Sequence, residues 1–241
     1  MGTRLNKYLA LCGLGSRRHV EGLITAGRIK VNGKTTTDLS TIIEAGDSVR
    51  IDGRPAAPLE RRHYLILNKP RGYITTRSDE KNRPTVMDLI PEKFRRSGVY
   101  PVGRLDRDTS GLLFLTNDGD LAFRLTKPDF HIQKEYQVEL DRPLEDADLQ
   151  KIRRGVYIPQ LDIKTRPAEV EYLDENRLRV RIVLTEGKNR QIRYTLSNLG
   201  YKIKSLERTS YGSLRIIRLR KGSCRVLSEA ELKTLKRLAG L

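Results

Sequence analysis

The residues best suited to chemistry lie in one stretch, Gly103-Arg104-Leu105-Asp106-Arg107-Asp108-Thr109-Ser110-Gly111, followed by the apolar run Leu112–Leu115 and then Asn117-Asp118-Gly119-Asp120. Carboxylates in a loop set against a buried strand are placed for catalysis or binding. Asp106, Asp108, Ser110 and Gly111 match the opening of a calcium loop. The position that closes such a loop is Asn117, however, where a bidentate glutamate is needed, so that reading fails. Asp106, Asp108, Asp118 and Asp120 could instead serve a two-metal nuclease, although no His or Glu stands beside them. In the plainest reading Asp108-Thr109 and Asp118-Gly119 are turn and capping residues. Gly33-Lys34-Thr35 ends like a phosphate-cradling loop, but Arg28 occupies the position that must be glycine, which speaks against an ATP-driven activity. His19, His63 and His131 have no paired spacing, so no metal site is expected.

The elements that must position this loop can be read on either side of it. His63-Tyr64-Leu65-Ile66-Leu67-Asn68-Lys69-Pro70 reads as a buried strand entering a proline turn, with Arg71–Thr76 carrying it on. Thr85–Ile90 suits a short helix, and Leu112–Leu115 a central strand. Upstream, the first 52 residues form a small unit of their own. Leu5, Leu9 and Leu11 fit a helix ending near Gly13, and Ser16 offers the N-cap of a second helix carrying Val20, Leu23 and Ile24. Gly27 stands where a left-handed C-cap would end it. Arg28–Val31 reads as a strand, Asn32-Gly33 as a tight turn and Asp47–Ile51 as a closing strand. Residues 53–61, with Pro55 and Pro58 and no periodicity, read as a linker, leaving 62–241 as the larger domain.

The chain of 241 residues is 37% hydrophobic and 32% charged, with a formal net charge of +17. No apolar run is long enough for a membrane span, and the first residues lack the apolar core of an export signal. Two cysteines, Cys12 and Cys224, are too few for a disulfide framework, so the chain reads as reduced and cytoplasmic. The charge points to nucleic acid, because cations that neutralise phosphates release counterions. Its distribution is uneven: +3 over residues 1–60, +1 over 61–175 and +13 over 176–241. Val180, Ile182, Val183, Leu184, Ile192 and Leu196 are mixed into that basic last quarter, so it is expected to fold and not to trail as a basic tail.

Two resemblances organise these observations. Arg4-Leu5-Asn6-Lys7-Tyr8-Leu9, Gly15-Ser16-Arg17-Arg18 and Ile29-Lys30-Val31-Asn32-Gly33-Lys34 resemble the α-L RNA-binding module shared by a small-subunit ribosomal protein (S-four) and several RNA enzymes. The resemblance implies RNA contacts from Arg4, Lys7, Arg17, Arg18, Lys30 and Asn32, reading shape and backbone. Gly103-Arg104-Leu105-Asp106 with Thr109-Ser110-Gly111-Leu112 is similar to the signature of the pseudouridine synthases, in particular the RsuA-type ribosomal RNA branch. In family order follow Lys134-Glu135-Tyr136, the basic run Glu186-Gly187-Lys188-Asn189-Arg190-Gln191-Ile192-Arg193, and Lys204-Ser205-Leu206-Glu207-Arg208, with Asn68-Lys69-Pro70 upstream.

What this second resemblance implies is an α+β enzyme: the small RNA-binding domain, then a catalytic domain on a mixed, mainly antiparallel β-sheet with flanking helices. Such enzymes isomerise a uridine in RNA to its C5-glycoside without metal or cofactor. The resemblance makes Asp106 the essential carboxylate, attacking the base at C6 or the ribose at C1′, or removing the C2′ proton. Arg193 would hold it ionised, and Tyr136 would stack on the extracted uracil. Leu206 would line the pocket, while Arg104, Asn189 and Arg190 would bind substrate, Arg190 nearer the RNA phosphate on the helical face of Arg193. Ribosomal RNA or a pre-ribosomal particle is the implied partner, no membrane is involved, and a monomer is expected. Asn82-Arg83-Pro84-Thr85-Val86 leans towards the branch acting on large-subunit RNA, with the small subunit left open. A non-catalytic ribosomal-RNA-binding protein is the alternative, and the presence of both Asp106 and Arg193 weighs against it.

Overall fold

The computed structural model describes residues 2–15, 17–59 and 61–241, so Ser16 as an N-cap lies outside the described residues. Two compact units emerge: Met1–His63 with Pro91–Val99, and Tyr64–Ile90 with Tyr100–Leu241.

In the first unit β1 (Thr3–Arg4) leads into α1 (Leu5–Leu11), which packs on α2 (Arg17–Thr25). There follow β2 (Ile29–Val31), β3 (Lys34–Thr36), β4 (Ile42–Ile43), β5 (Val49–Ile51) and β6 (Arg54–Pro55), with α3 (Glu92–Arg96) contributed from further along the chain. Leu5, Leu9, Val20, Ile24, Ile29, Ile43, Val49 and Ala56 form its core. Four of the strands make a sheet in the order β3-β2-β5-β6. Asn32 and Gly33 turn the chain with φ of 49° and 81°, as a two-residue hairpin requires. Asp52 and Gly53 repeat the device with φ of 47° and 80°. That second turn folds Arg54–Pro55 back on β5, inside the stretch 53–61 that composition alone marks as linker.

The second unit is built on a mixed sheet. Its strands are β7 (Tyr64–Lys69), β8 (Tyr100–Pro101), β9 (Ser110–Thr116), β10 (Lys134–Leu140), β13 (Glu169–Tyr172), β14 (Arg179–Leu184), β15 (Ile203–Tyr211), β16 (Leu214–Arg215) and β17 (Cys224–Val226). A separate two-stranded ribbon, β11 (Tyr157–Ile158) with β12 (Ile163–Lys164), lies outside it. The sheet order is β13-β14-β10-β15-β9-β7-β17, and every pairing is antiparallel except β9 with β15. Helices α4 (Gly119–Thr126) and α7 (Glu229–Leu238) contribute to one apolar core with Leu112, Phe114, Leu121, Tyr211 and Leu235. Helices α5 (Asp146–Arg154) and α6 (Gln191–Asn198) contribute to a second with Val138, Leu149, Val180 and Leu196. Where β9 meets β15, a Cβ on Gly111 would fall 2.3 Å from the Arg208 carbonyl oxygen, and Gly111 has φ +110°. Only glycine fits that approach.

The acidic loop is held from beneath by a lysine. Lys69, fully buried at the end of β7, donates to the carbonyls of Pro70 (3.1 Å), Asp106 (3.0 Å), Arg107 (3.3 Å) and Thr109 (2.8 Å). Burial pushes its ammonium down to about 8, while Asp106 and Asp108 pull it back up, so at neutral pH it remains a cation. The segment after Pro70 clamps the same loop from the side. Thr75 Oγ1 donates to Leu105 O at 2.7 Å, and the Gly72 N–H donates to Arg107 O at 2.8 Å. Arg71–Thr76 is therefore a clamp and not a continuation of β7. Pro70 lacks a ladder donor and Gly72 takes φ +93°, which ends the strand.

Two expectations follow. Lys69→Met leaves four carbonyls short of a donor and should lower stability by about 2–4 kcal/mol, measured by urea unfolding. In Glu231, Arg225 donates to both carboxylate oxygens (2.8 and 2.6 Å) and the Ser228 N–H to one of them (2.8 Å), closing the capping box of α7. The Arg225 hydrogen bonds hold the carboxyl down to about 2. A depressed carboxyl pKa stabilises the fold above about pH 4.5 and loses that contribution as pH falls towards 2. Glu231→Gln should thus cost about 1–2 kcal/mol at pH 7, with the difference from wild type vanishing near pH 2 in pH-resolved melts.

Candidate active site

Asp106 stands in the loop that Lys69 and Thr75 hold, just before β9. Its Oδ2 lies 3.5 Å from Arg193 Nε and 3.7 Å from Arg190 Nη1. Both cations come from the far side of the cleft: Arg193 from the first turn of α6, and Arg190 from the residue before that helix. Among the described residues neither carboxylate oxygen accepts a hydrogen bond. The two guanidinium groups balance its charge while its lone pairs remain open to substrate.

Arg193 is fixed by other bonds. Its Nη2 donates to Asp108 O and to Thr109 Oγ1, each at 3.1 Å, while Nε is buried without a hydrogen-bond partner. Burial pulls this guanidinium below its ordinary range, and the Asp106 charge pulls it back up. Arg190 lies on the same side as Arg193, as expected, but outside the helix. It has φ +50° and precedes the helix, so its side chain turns to Asp106 instead of towards an outer phosphate.

A cavity of about 70 Å³ opens here, with Asp106, Tyr136, Leu206, Arg104, Arg190 and Arg193 in its walls. Tyr136 reaches it from β10 and Leu206 from β15, the neighbouring strand. Leu206 is buried and belongs to the second core as well as to the cavity. Arg104, Asp106, Tyr136 and Arg190 also border a larger basin of about 450 Å³, and Asn189 stands in its wall. The structure thus gathers Asp106, Tyr136, Arg193, Arg104, Leu206 and Arg190 at one cavity, with Asn189 beside it.

The aspartates of the metal-nuclease reading separate. Asp118 N-caps α4 through the Leu121 N–H and accepts from Tyr64 Oη at 2.9 Å. It lies at the opposite end of β9 from Asp106, roughly 20 Å along a seven-residue strand. In the first unit Arg4, Arg17, Arg18 and Lys30 are exposed and Lys7 is half-buried. Asn32 is occupied within that unit: its Nδ2 donates to Asp47 Oδ1 at 2.8 Å and its Oδ1 accepts from the Ser48 N–H at 2.9 Å.

Lys69, Thr75 and Thr109 are positioning residues: Lys69 and Thr109 stand in the quoted motifs without a role assigned there, and Thr75 stands outside them. For Lys69 the signal was present, since a lysine ending the apolar run Tyr64–Leu67 must find buried acceptors.

Known proteins resemble the chain in sequence and fold. The profile of the RNA pseudouridylate synthase family matches residues 63–198, and that of the S4 domain matches residues 3–49. The chain is 36% identical over 242 residues to the ribosomal large subunit pseudouridine synthase B of Bacillus subtilis (strain 168), covering 98% of this chain and 96% of that protein. It is also 36% identical over 239 residues to an uncharacterized RNA pseudouridine synthase of Aquifex aeolicus (strain VF5), covering 98% and 97%. A crystal structure of a pseudouridylate synthase superimposes with a TM-score of 0.72 at 29% identity, over 96% of this chain and 99% of that one. With its S4 domain in front and its sheet, loop and cleft behind, the chain belongs to the RNA pseudouridylate synthase family.

Proposed function

We propose that the protein isomerises a uridine of ribosomal RNA to pseudouridine, with Asp106 as the reacting carboxylate. The observation that carries this is the Asp106 Oδ2 set between Arg193 and Arg190 on the wall of a cavity that Tyr136 and Leu206 complete. The reaction breaks the N1–C1′ bond of the nucleotide and joins C1′ to C5. It needs a carboxylate anion. Two cations flank Asp106 without occupying its lone pairs. Attack at C6, attack at C1′ and removal of the C2′ proton all draw on that same anion. Tyr136 faces the base and Leu206 closes the apolar side. Arg104, exposed at the mouth, contacts the backbone of the extracted nucleotide, and Asn189 binds beside it. Extracting the base costs a few kcal/mol, which phosphate contacts offset.

The finer assignments follow from the same residues. Arg4, Lys7, Arg17, Arg18 and Lys30 of the first unit bind RNA by shape, and Asn32 shapes the turn that carries Lys30. Large-subunit RNA is the proposed target, on the strength of the name of the Bacillus subtilis relative and of Asn82–Val86. The substrate is ribosomal RNA or a pre-ribosomal particle. A monomer is the proposed state. Cys12 and Cys224 are both free, which fits the cytoplasm. Among the described residues no helix is long and apolar enough to cross a membrane.

The test is to incubate the protein with ribosomal RNA lacking the modification and to map pseudouridine in both subunits' RNA. Wild type should convert one or a few uridines of the large-subunit RNA. Asp106→Ala should lose at least about 10³-fold in rate while keeping RNA affinity within about threefold. Conversion surviving in Asp106→Ala would overturn the role of Asp106, and binding without conversion by wild type would favour a non-catalytic RNA-binding protein.

A further inference from the structure

The larger basin holds two cations that the reaction at Asp106 does not use. Lys134 opens β10, two residues before Tyr136 and on the same face of the strand. Arg208 lies directly across from Tyr136 on β15 and is 2% exposed. Both side chains border the basin, and both lie over the ring of Tyr211: Lys134 Nζ at 5.7 Å and Arg208 Cζ at 4.9 Å from its centroid.

Neither cation is in direct contact with a carboxylate among the described residues. Arg208 Nε donates to Leu112 O at 2.8 Å, and its Nη2 is buried with no hydrogen-bond partner. Lys134 Nζ donates to Ile132 O at 2.9 Å. Among the described residues no carboxylate forms an ion pair with either. Glu186, which borders the basin with Asp106, accepts at Oε1 from the Arg166 N–H at 2.9 Å and from Gln191 Nε2 at 2.7 Å and reaches Lys134 only through its charge. Burial, reinforced by the charge of Arg208 and only partly offset by that of Glu186, pushes the Lys134 ammonium down to about 8. Two desolvated cations over one ring are unfavourable for the fold unless an anion joins them. A buried arrangement that weakens the folded state is the mark of a binding site.

We propose that Lys134 and Arg208 form a phosphodiester subsite that seats the RNA backbone beside the target uridine. Arg208 charges the floor from below, and Lys134, half-buried at the surface of the basin, makes the contact. Arg166 and Lys188, which also border the basin, extend the positive field. The subsite shares Tyr136 and Asp106 as a wall with the catalytic cavity. A phosphate held there fixes the strand while the uridine is turned towards Asp106. The proposal rests on the RNA-modification reading for its ligand.

The experiment uses the full chain and measures affinity for a large-subunit ribosomal RNA transcript over a range of salt concentrations, together with melting temperature. Lys134→Met should weaken binding about tenfold and make the salt slope shallower by about 0.7–0.9. It should melt at or above the wild-type temperature, because it removes an unneutralised buried charge. Lys134→Arg should keep affinity within about threefold, and Lys233→Gln, at an exposed lysine on α7, should match wild type. A Lys134→Met protein with wild-type affinity and slope overturns the subsite, as does one that melts well below wild type, since the lysine would then be structural. If Lys134→Met binds RNA as wild type does while inorganic phosphate raises only the wild-type melting temperature, the site takes a free anion and the RNA assignment falls. Binding is read without catalysis. If wild type makes no pseudouridine yet Lys134→Met loses affinity, the functional reading alone fails.

Discussion

The structure depends on setting one carboxylate between two guanidinium groups without tying up its oxygens. A strong hydrogen bond from arginine would occupy the lone pairs of Asp106. Contacts of 3.5 and 3.7 Å to two guanidinium groups avoid this, since Coulomb attraction falls slowly with distance whereas hydrogen bonding falls steeply. Such spacing survives only if both partners are anchored by something other than each other. Arg193 is bonded to Asp108 O and Thr109 Oγ1, in the same loop that presents Asp106. Lys69 holds the carbonyls of that loop from the other side. The gap between charge and counter-charge is thus set by two independent tethers.

Those tethers explain the architecture around them. The loop sits where β9 begins, and β9 joins the two cores through its short parallel pairing with β15. Gly111 permits that approach, bringing the Asp106 loop of one half against α6, Tyr136 and Leu206 of the other. A cleft at the seam of two separately packed cores is rigid on both walls, which suits a reaction that must hold a nucleotide in one orientation.

Much of this was legible in the chain, for identifiable reasons. The motifs around Asp106, Tyr136 and Arg193 are short, ordered and chemically distinctive, so their convergence on one cavity could be expected. Apolar runs such as Leu65–Leu67 and Leu112–Leu115 announced buried strands because both faces are covered. Local pattern could not show the left-handed backbone of Arg190, because nothing in Lys188-Asn189-Arg190 requires it. Nor could it show the clamp of Thr75 on Leu105, made between residues thirty apart. The turn at Asp52-Gly53 carried the same signal as Asn32-Gly33, but the prolines that follow hid the short strand beyond it.

Net charge alone is a poor guide to where RNA lies. The last quarter of the chain carries most of the +17, yet many of its cations have partners within the protein. Arg181 meets Glu135, Glu169 and Glu171, Arg177 meets Asp146, and Arg225 meets Glu231. These pairs stiffen strands and caps and leave little field for a polyanion. The cations around the cleft differ in kind. Arg190 and Arg193 share a single carboxylate, that of Asp106, and among the described residues Lys134 and Arg208 form no ion pair. A phosphate is attracted by charge that the fold has left unneutralised, so a basic residue counts towards RNA binding only where the protein's own carboxylates do not already meet it.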